Sequence, residues 1–247
     1  MKKRIDVLLV ERGLAPSRER AQALIISGNV LVEDQPVTKA GQPVANDAQV
    51  RVRGEDHPYV SRGGVKLAAA LEHFAVPVAG RVALDVGAST GGFTHVLLLR
   101  EVARVHALDV GHSQLDWKIR SDPRVRVLEK VNARYLLPEQ IGEPIDLIVI
   151  DVSFISLDKI LAPLLALTSP VSDWIALIKP QFEVGRENVG KGGIVTDEVA
   201  RRDAVARVKA HAETLGLEFQ GLIESPITGT QGNQEFLAHW KLARPAR

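Results

Sequence analysis

Two ionisable residues stand directly behind apolar runs, where a buried strand would deliver them to the edge of a sheet. Asp151 follows Ile145-Asp146-Leu147-Ile148-Val149-Ile150, and Lys179 follows Trp174-Ile175-Ala176-Leu177-Ile178. A lysine leaving a buried strand can be held neutral and accept a proton, and a carboxylate beside it can orient it. The bland alternative is a Lys179 that reaches out to solvent along its aliphatic stem; the placement of Asp151 on the neighbouring strand speaks against it. A third run ends Asp85-Val86-Gly87-Ala88-Ser89-Thr90-Gly91-Gly92-Phe93. Its glycines admit a ligand close to the backbone and open a helix whose first turn can face negative charge. The spacing is neither the dinucleotide fingerprint G-x-G-x-x-G nor a P-loop. An acid two residues ahead of the first glycine suits a ligand with a cationic amino-acid end, such as S-adenosylmethionine. A tight strand-to-helix turn with no ligand fits the same residues. Asp109 closes the next strand 22 positions after Gly87, a distance suited to a ribose. Together Asp85 and Asp109 favour an adenosyl cofactor, and NAD remains open. Lys66 and Glu235, taken singly, read as surface charges.

These residues need a scaffold that brings strand ends together. Strands are expected at Val82–Val86, Arg104–Val110, Val125–Leu128, Ile145–Ile150, Trp174–Ile178, Glu218–Glu224 and Phe236–Leu242. Helices fit at Arg62–Phe74 (with Ser61 as its cap), Gly91–Arg100, Leu157–Leu167 and Asp197–Leu215. Near-continuous apolar strands are typical of parallel sheets covered on both faces, and their alternation with helices predicts a doubly wound α/β domain with seven strands. Ahead of it, Ile5, Leu8 and Leu9 share a helix face ended by Gly13. Ser17 caps a second helix that Gly28 closes. Short strands at Val30–Val32 and Gln49–Val52, with a turn through Asp34-Gln35-Pro36, complete a small α+β module. The polar stretch Arg53–Pro58 reads as a linker, dividing the chain into 1–58 and 59–247.

Charge is balanced at 31 Lys and Arg against 30 Asp and Glu. Residues 1–58 carry nine basic and eight acidic groups, and residues 59–247 carry 22 of each. Nucleic-acid binding must therefore come from local clustering, for which Arg4, Arg12, Arg18 and Arg20 are the candidates; a solvated helix face is the alternative. No aromatic residue precedes Tyr59, so this module lacks a base-stacking platform and would read shape and phosphates. The absence of cysteine excludes disulfides, thiolate metal sites and a cysteine nucleophile. No stretch has the length and apolarity of a membrane span or a secretory signal, and a cytoplasmic protein is expected. Oligomeric state is left open.

Asp85–Thr94 resembles motif I of the FtsJ-like class of S-adenosylmethionine-dependent methyltransferases. The order Lys66, Asp151, Lys179, Glu235 is similar to that class's Lys-Asp-Lys-Glu tetrad for ribose 2′-O-methylation. Tyr59-Val60-Ser61-Arg62-Gly63-Gly64-Val65-Lys66-Leu67, Asp151-Val152-Ser153-Phe154-Ile155-Ser156-Leu157 and Lys179-Pro180-Gln181-Phe182-Glu183 together resemble the TlyA (hemolysin A) family of ribosomal RNA cytidine 2′-O-methyltransferases. The N-terminal module resembles the S4 RNA-binding fold. The resemblance implies a Rossmann-like methyltransferase domain with S-adenosylmethionine as cofactor and ribosomal RNA, or a ribosomal subunit, as partner. It also implies that Lys66, Asp151, Lys179 and Glu235 form the catalytic set. Asp85, Gly87, Ala88, Ser89, Gly91, Asp109 and Asp151 would hold the cofactor, with Phe154 a wall against adenine. The chain stops twelve residues after Glu235, which resembles the subgroup acting on large-subunit RNA alone. A non-catalytic RNA-binding protein and a membrane-active hemolysin are the rival expectations.

Overall fold

The computed structural model describes residues 2–15, 17–26, 28–52, 57–229 and 232–243. Most of the expected linker, residues 53–56, lies outside them. The chain forms two compact units, Met1–Pro58 and Tyr59–Arg247.

In the first unit, β1 (Lys2–Arg4) pairs with β4 (Pro43–Ala45), and β2 (Val30–Val32) lies between β3 (Gln35–Val37) and β5 (Val50–Val52), all antiparallel. Helices α1 (Ile5–Glu11) and α2 (Arg18–Ile26) bury Ile5, Leu8, Leu9, Ala21, Leu24 and Ile25 against Val30, Val37 and Val44. Ser17 caps α2 as expected, its Oγ accepting the Arg20 N–H at 3.2 Å. The hairpin turn is tighter than Asp34-Gln35-Pro36. Glu33 and Asp34 alone make it, both at positive φ, the geometry that matches strand twist in two-residue loops. Gln35 and Pro36 belong to β3, and Pro36 is tolerated there because β3 is an edge strand.

The second unit is one seven-stranded sheet. Its strands are β6 (Val82–Val86), β7 (Arg104–Asp109), β8 (Val125–Glu129), β9 (Ile145–Ile150), β10 (Thr168–Ile178), β11 (Glu218–Glu224) and β12 (Phe236–Ala243), in the order β11-β12-β10-β9-β6-β7-β8. β12 runs antiparallel to both its neighbours; the rest are parallel. Alternating side chains pack on opposite faces. Leu84, Val86, Ile148, Ile150, Trp174 and Ile178 join one core, and Ala83, Leu147, Val149, Ile175 and Leu177 join the other. Helices α3 (Gly63–His73) and α4 (Gly92–Leu99) cover the second face through Leu67, Leu71 and Leu97. Short α5 (Trp117–Arg120), α6 (Pro138–Ile141), α7 (Leu161–Leu164) and α8 (Pro180–Glu183) connect strands. Long α9 (Glu198–Thr214) covers the first face through Val208 and Ala212. This is the doubly wound, Rossmann-like arrangement, with β6 and β9 flanking the point where strand order reverses and ligands usually bind.

Two local expectations give way. The helix at Leu157–Leu167 is three short pieces, 3-10 turns at Leu157–Lys159 and Leu165–Leu167 around α7, because Pro163 removes a backbone donor inside the run. Ser61 makes no cap on α3, whose N-cap position is Arg62 with no side-chain bond. Ser61 Oγ instead packs where a Cβ on Gly92 would stand. Among the described residues no helix is long and apolar enough to cross a membrane.

Candidate active site

β9 and β10 run parallel with Ile150 opposite Ala176, so the residues that follow each strand emerge on one side of the sheet. Asp151 and Lys179 meet there, Nζ to Oδ1 at 2.6 Å, and Lys179 also donates to Ser153 Oγ at 2.9 Å. Lys66, at the end of the first turn of α3, and Glu235, just before β12, form a second pair at 2.5 Å. Both are buried, against the reading of each as a surface charge. Gly229 permits this: a Cβ there would overlap Glu235 Oε1. The four side chains line a single cleft of about 290 Å³, walled on the other side by Gly87, Ala88, Ser89, Thr90 and Phe93. Two lysine–carboxylate pairs thus face a glycine-rich strand end across one cavity.

That strand end is built for close approach. Gly87 has φ +88°, and any Cβ on it would run into the Asp151 carbonyl; Gly91 has φ +95° at the N-cap of α4. Asp109 ties two loops together, Oδ2 accepting the Ser89 N–H at 2.8 Å and Oδ1 the Gly111 N–H at 2.7 Å. Ala88, Ser89, Asp109, Gly111 and Gln114 line a small neighbouring cavity. Asp85 stands behind this surface, fully buried. Thr94 Oγ1 donates to its Oδ2 at 2.6 Å, and Oδ1 has no partner. Burial pushes the Asp85 carboxyl up to about 7; the Thr94 hydroxyl opposes this, and the charges of Asp151 and Asp109 add to it. An unpartnered buried carboxylate oxygen beside a glycine cradle fits a ligand carrying a cationic amino-acid end and an adenosyl group. Gly87, Ala88, Ser89, Asp109 and Asp151 are brought to the lining of these two cavities, while Asp85, buried on β6, and Gly91, in the turn after it, line neither. Phe154 is not part of this surface: its ring is 90% exposed, packs at 5.1 Å from Phe182, and lines neither cavity.

The four N-terminal arginines do not form one free patch. Asp6, fully buried, accepts from Arg4 Nε and Nη2 at 3.0 and 2.9 Å, from Arg18 Nε at 2.9 Å and from Gln22 at 3.0 Å. Chiefly the Arg4 hydrogen bond, helped by Gln22 and Arg18, holds the Asp6 carboxyl well below the usual range despite burial. Arg4 and Arg18 remain half exposed, a pair of guanidiniums fixed on one carboxylate. Arg12 instead donates to the carbonyls of Ala48 and Asn46 at 2.7 and 2.6 Å, and Arg20 to the His57 carbonyl at 3.1 Å. Sequence reasoning missed Asp6, Ser153 and Thr94. Only Asp6 left a signal, as an acid set between two basic residues and a downstream Ser-Arg.

Comparison with known proteins agrees with this geometry. Residues 59–242 match the family model for the FtsJ-like methyltransferase, and residues 3–56 match that for the S4 domain. A Mycobacterium tuberculosis protein named 16S/23S rRNA (cytidine-2′-O)-methyltransferase TlyA is 48% identical over 234 residues, covering 94% of this chain and 87% of the relative. A solved structure described as a hemolysin from Streptococcus thermophilus superimposes with a TM-score of 0.78 at 41% identity, over 99% of this chain and 90% of that one. A SAM-dependent methyltransferase from Aquifex aeolicus shares the fold alone, with a TM-score of 0.52 at 20% identity over 76% of this chain and 95% of its own. The chain belongs to the FtsJ-like methyltransferase family, in the TlyA/hemolysin A group that carries an S4 domain ahead of the methyltransferase domain.

Proposed function

We propose that this protein transfers a methyl group from S-adenosylmethionine to the 2′-hydroxyl of a cytidine ribose in ribosomal RNA, acting in the cytoplasm. The observation that carries the reading is the convergence of Lys66, Asp151, Lys179 and Glu235 on one cleft beside the glycine-rich end of β6. Two lysine–carboxylate pairs brought to one cleft by α3 and three strand ends suit a reaction whose catalysis is positioning plus one proton transfer. S-adenosylmethionine, when bound, supplies a sulfonium methyl. Asp85, Asp109, Asp151 and the Gly87–Gly91 turn would hold it.

The residues then divide the work. Lys179, once it has given up its own ammonium proton, would accept the proton of the ribose 2′-hydroxyl as a neutral amine. Asp151 and Ser153 hold the lysine at the mouth of β10. The buried Lys66–Glu235 pair walls the cleft and presents a fixed cation to the reacting ribose. Phe154, exposed and packed on the half-buried Phe182, offers an aromatic face one residue after the serine that holds the lysine, suited to stacking a base swung out of its helix. The Arg4–Asp6–Arg18 cluster supplies donors for RNA phosphates at the S4 domain.

The test is transfer of labelled methyl to separated ribosomal subunits and their naked RNAs, taken from cells lacking this protein, with Lys179→Ala as control. Label in cytidine ribose that the variant abolishes, while cofactor binding stays within a few fold, supports the reading. Which subunit is labelled decides between large-subunit and dual specificity. Cofactor binding without label on either RNA would overturn the assignment.

A further inference from the structure

Two segments in this domain face each other along their length. Residues 151–157 follow β9, and residues 179–183 follow β10, with Lys179 leading into α8. Asp151 and Ser153 engage Lys179 at 2.6 and 2.9 Å. Phe154 packs on Phe182 at 5.1 Å. At the far end Glu183 takes two bonds, from Ser156 Oγ to Oε2 at 2.7 Å and from the Leu157 N–H to Oε1 at 2.9 Å. Between these anchors Phe154 sits at φ +65°. A left-handed backbone is strained for an aromatic residue and persists only where its flanks are held. One flank is held by Asp151, whose N–H bonds the Val86 carbonyl at 2.9 Å. The other is held by Glu183.

The Glu183 carboxylate is itself constrained. Burial pushes its pKa up, and the raised value persists although the Leu157 N–H, the Ser156 hydroxyl and Arg207 lower it; Asp158 adds to the rise. Arg207 also donates to the Glu183 main-chain carbonyl at 2.8 Å, fixing α8 against α9. A mostly buried acid that spends both oxygens on one neighbouring loop, four residues after the lysine, has a geometric task. We propose that Glu183 is a positioning residue for methyl transfer: it staples residues 153–157 to the segment bearing Lys179, and so sets where Ser153 and Phe154 stand relative to the lysine amine. This rests on the reading of Lys179 as the proton acceptor.

The test uses the full chain with Glu183→Ala and Glu183→Gln. Glutamine keeps both bonds, its carbonyl accepting from Leu157 and its amide donating to Ser156 Oγ. Misplacing reacting groups by about 1 Å can cost about 100-fold. We therefore expect Glu183→Ala to lower kcat for RNA methylation by about that factor, with S-adenosylmethionine affinity within about threefold and Glu183→Gln within about threefold of wild type. Hydrogen exchange should show the Leu157 amide protected in wild type and Glu183→Gln and unprotected in Glu183→Ala. A wild-type kcat in Glu183→Ala, equal losses in both variants, or unchanged Leu157 protection would overturn the proposal. Should Glu183→Ala not fold, Ser156→Ala removes one of the two bonds, with a kcat loss of about tenfold expected and wild-type kcat overturning the proposal. A wild-type protein that labels no RNA would sink the RNA reading itself, and the exchange pattern would separately decide whether Glu183 orders the loop.

Discussion

Lys66 and Glu235 lie 169 positions apart yet touch at 2.5 Å, with side chains 7% and 3% exposed. Replacing Lys66 by methionine keeps the aliphatic volume and leaves the Glu235 carboxylate buried without its partner. Removing one member of a buried pair costs about 3–5 kcal/mol, because the remaining charge has lost its compensation. Replacing both by methionine removes the need for compensation and should return stability to within about 1–2 kcal/mol of wild type. The two changes are therefore strongly non-additive: with each single loss at about 3–5 kcal/mol and the double variant within about 2 kcal/mol of wild type, the coupling is at least about 4 kcal/mol. Urea unfolding followed by tryptophan fluorescence reads this directly. Trp174 and Trp240 are fully buried and face each other across β10 and β12, so their emission follows the unit that holds the pair. A Lys66→Met penalty below about 1 kcal/mol, or a double variant no more stable than the single, would refute the buried pair. The result also governs how activity data are read: lost turnover in a Lys66 variant reports chemistry only when the loss of stability has been measured alongside.

Asp85 has a pKa of about 7 when folded against 3.8 for the ordinary group, so the folded state holds this proton more tightly than the unfolded one. Its contribution to stability is full below pH 3.8 and is lost as pH rises through about 7. Asp85→Asn should therefore gain on wild type by a few kcal/mol between pH 4 and 8 in denaturant titrations, about 4 kcal/mol at most; parallel pH profiles would contradict the raised pKa. Asp6→Asn increases net positive charge but releases Arg4 and Arg18 from their shared anchor. We expect weaker RNA binding by filter retention, and tighter binding would show that charge rather than placement governs that surface. Phe154→Ala removes a 90% exposed ring, so thermal stability should hold. If the ring stacks a base worth about 1–3 kcal/mol, KM for RNA should rise about 5-fold or more; an unchanged KM removes Phe154 from the RNA interface.

Much of the second unit was legible because its signals are local. The five apolar residues of Trp174–Ile178 and the run at Ile145–Ile150 can only be buried strands, and the glycines at 87, 91 and 92 mark a turn that no Cβ would permit. Asp151 and Lys179, directly behind those strands, and Asp85 and Asp109, near the ends of β6 and β7, were readable for the same reason. β1, β3 and β4 were missed, since Lys2–Arg4 is wholly charged and the other two each carry a proline, unlike the equally short, valine-rich β2 and β5. The break at Pro163 was overlooked because the apolar spacing around it is helical.

The amino-acid order alone determined which strands are buried, where each ends, and which ionisable groups stand at those ends. Hydrophobic period and glycine placement act within a few residues of the side chain they position. Tertiary structure decided the partners. Lys66 pairs with Glu235 only because the chain threads β12 back beside β10. Arg4 and Arg18 meet on Asp6 rather than in solvent only because α1 and α2 pack together. Glu183 reaches Leu157 only because β9 and β10 are neighbours. A buried charge is stable only with a partner at hydrogen-bond distance, and that distance is set by strand order and packing between segments remote in the chain.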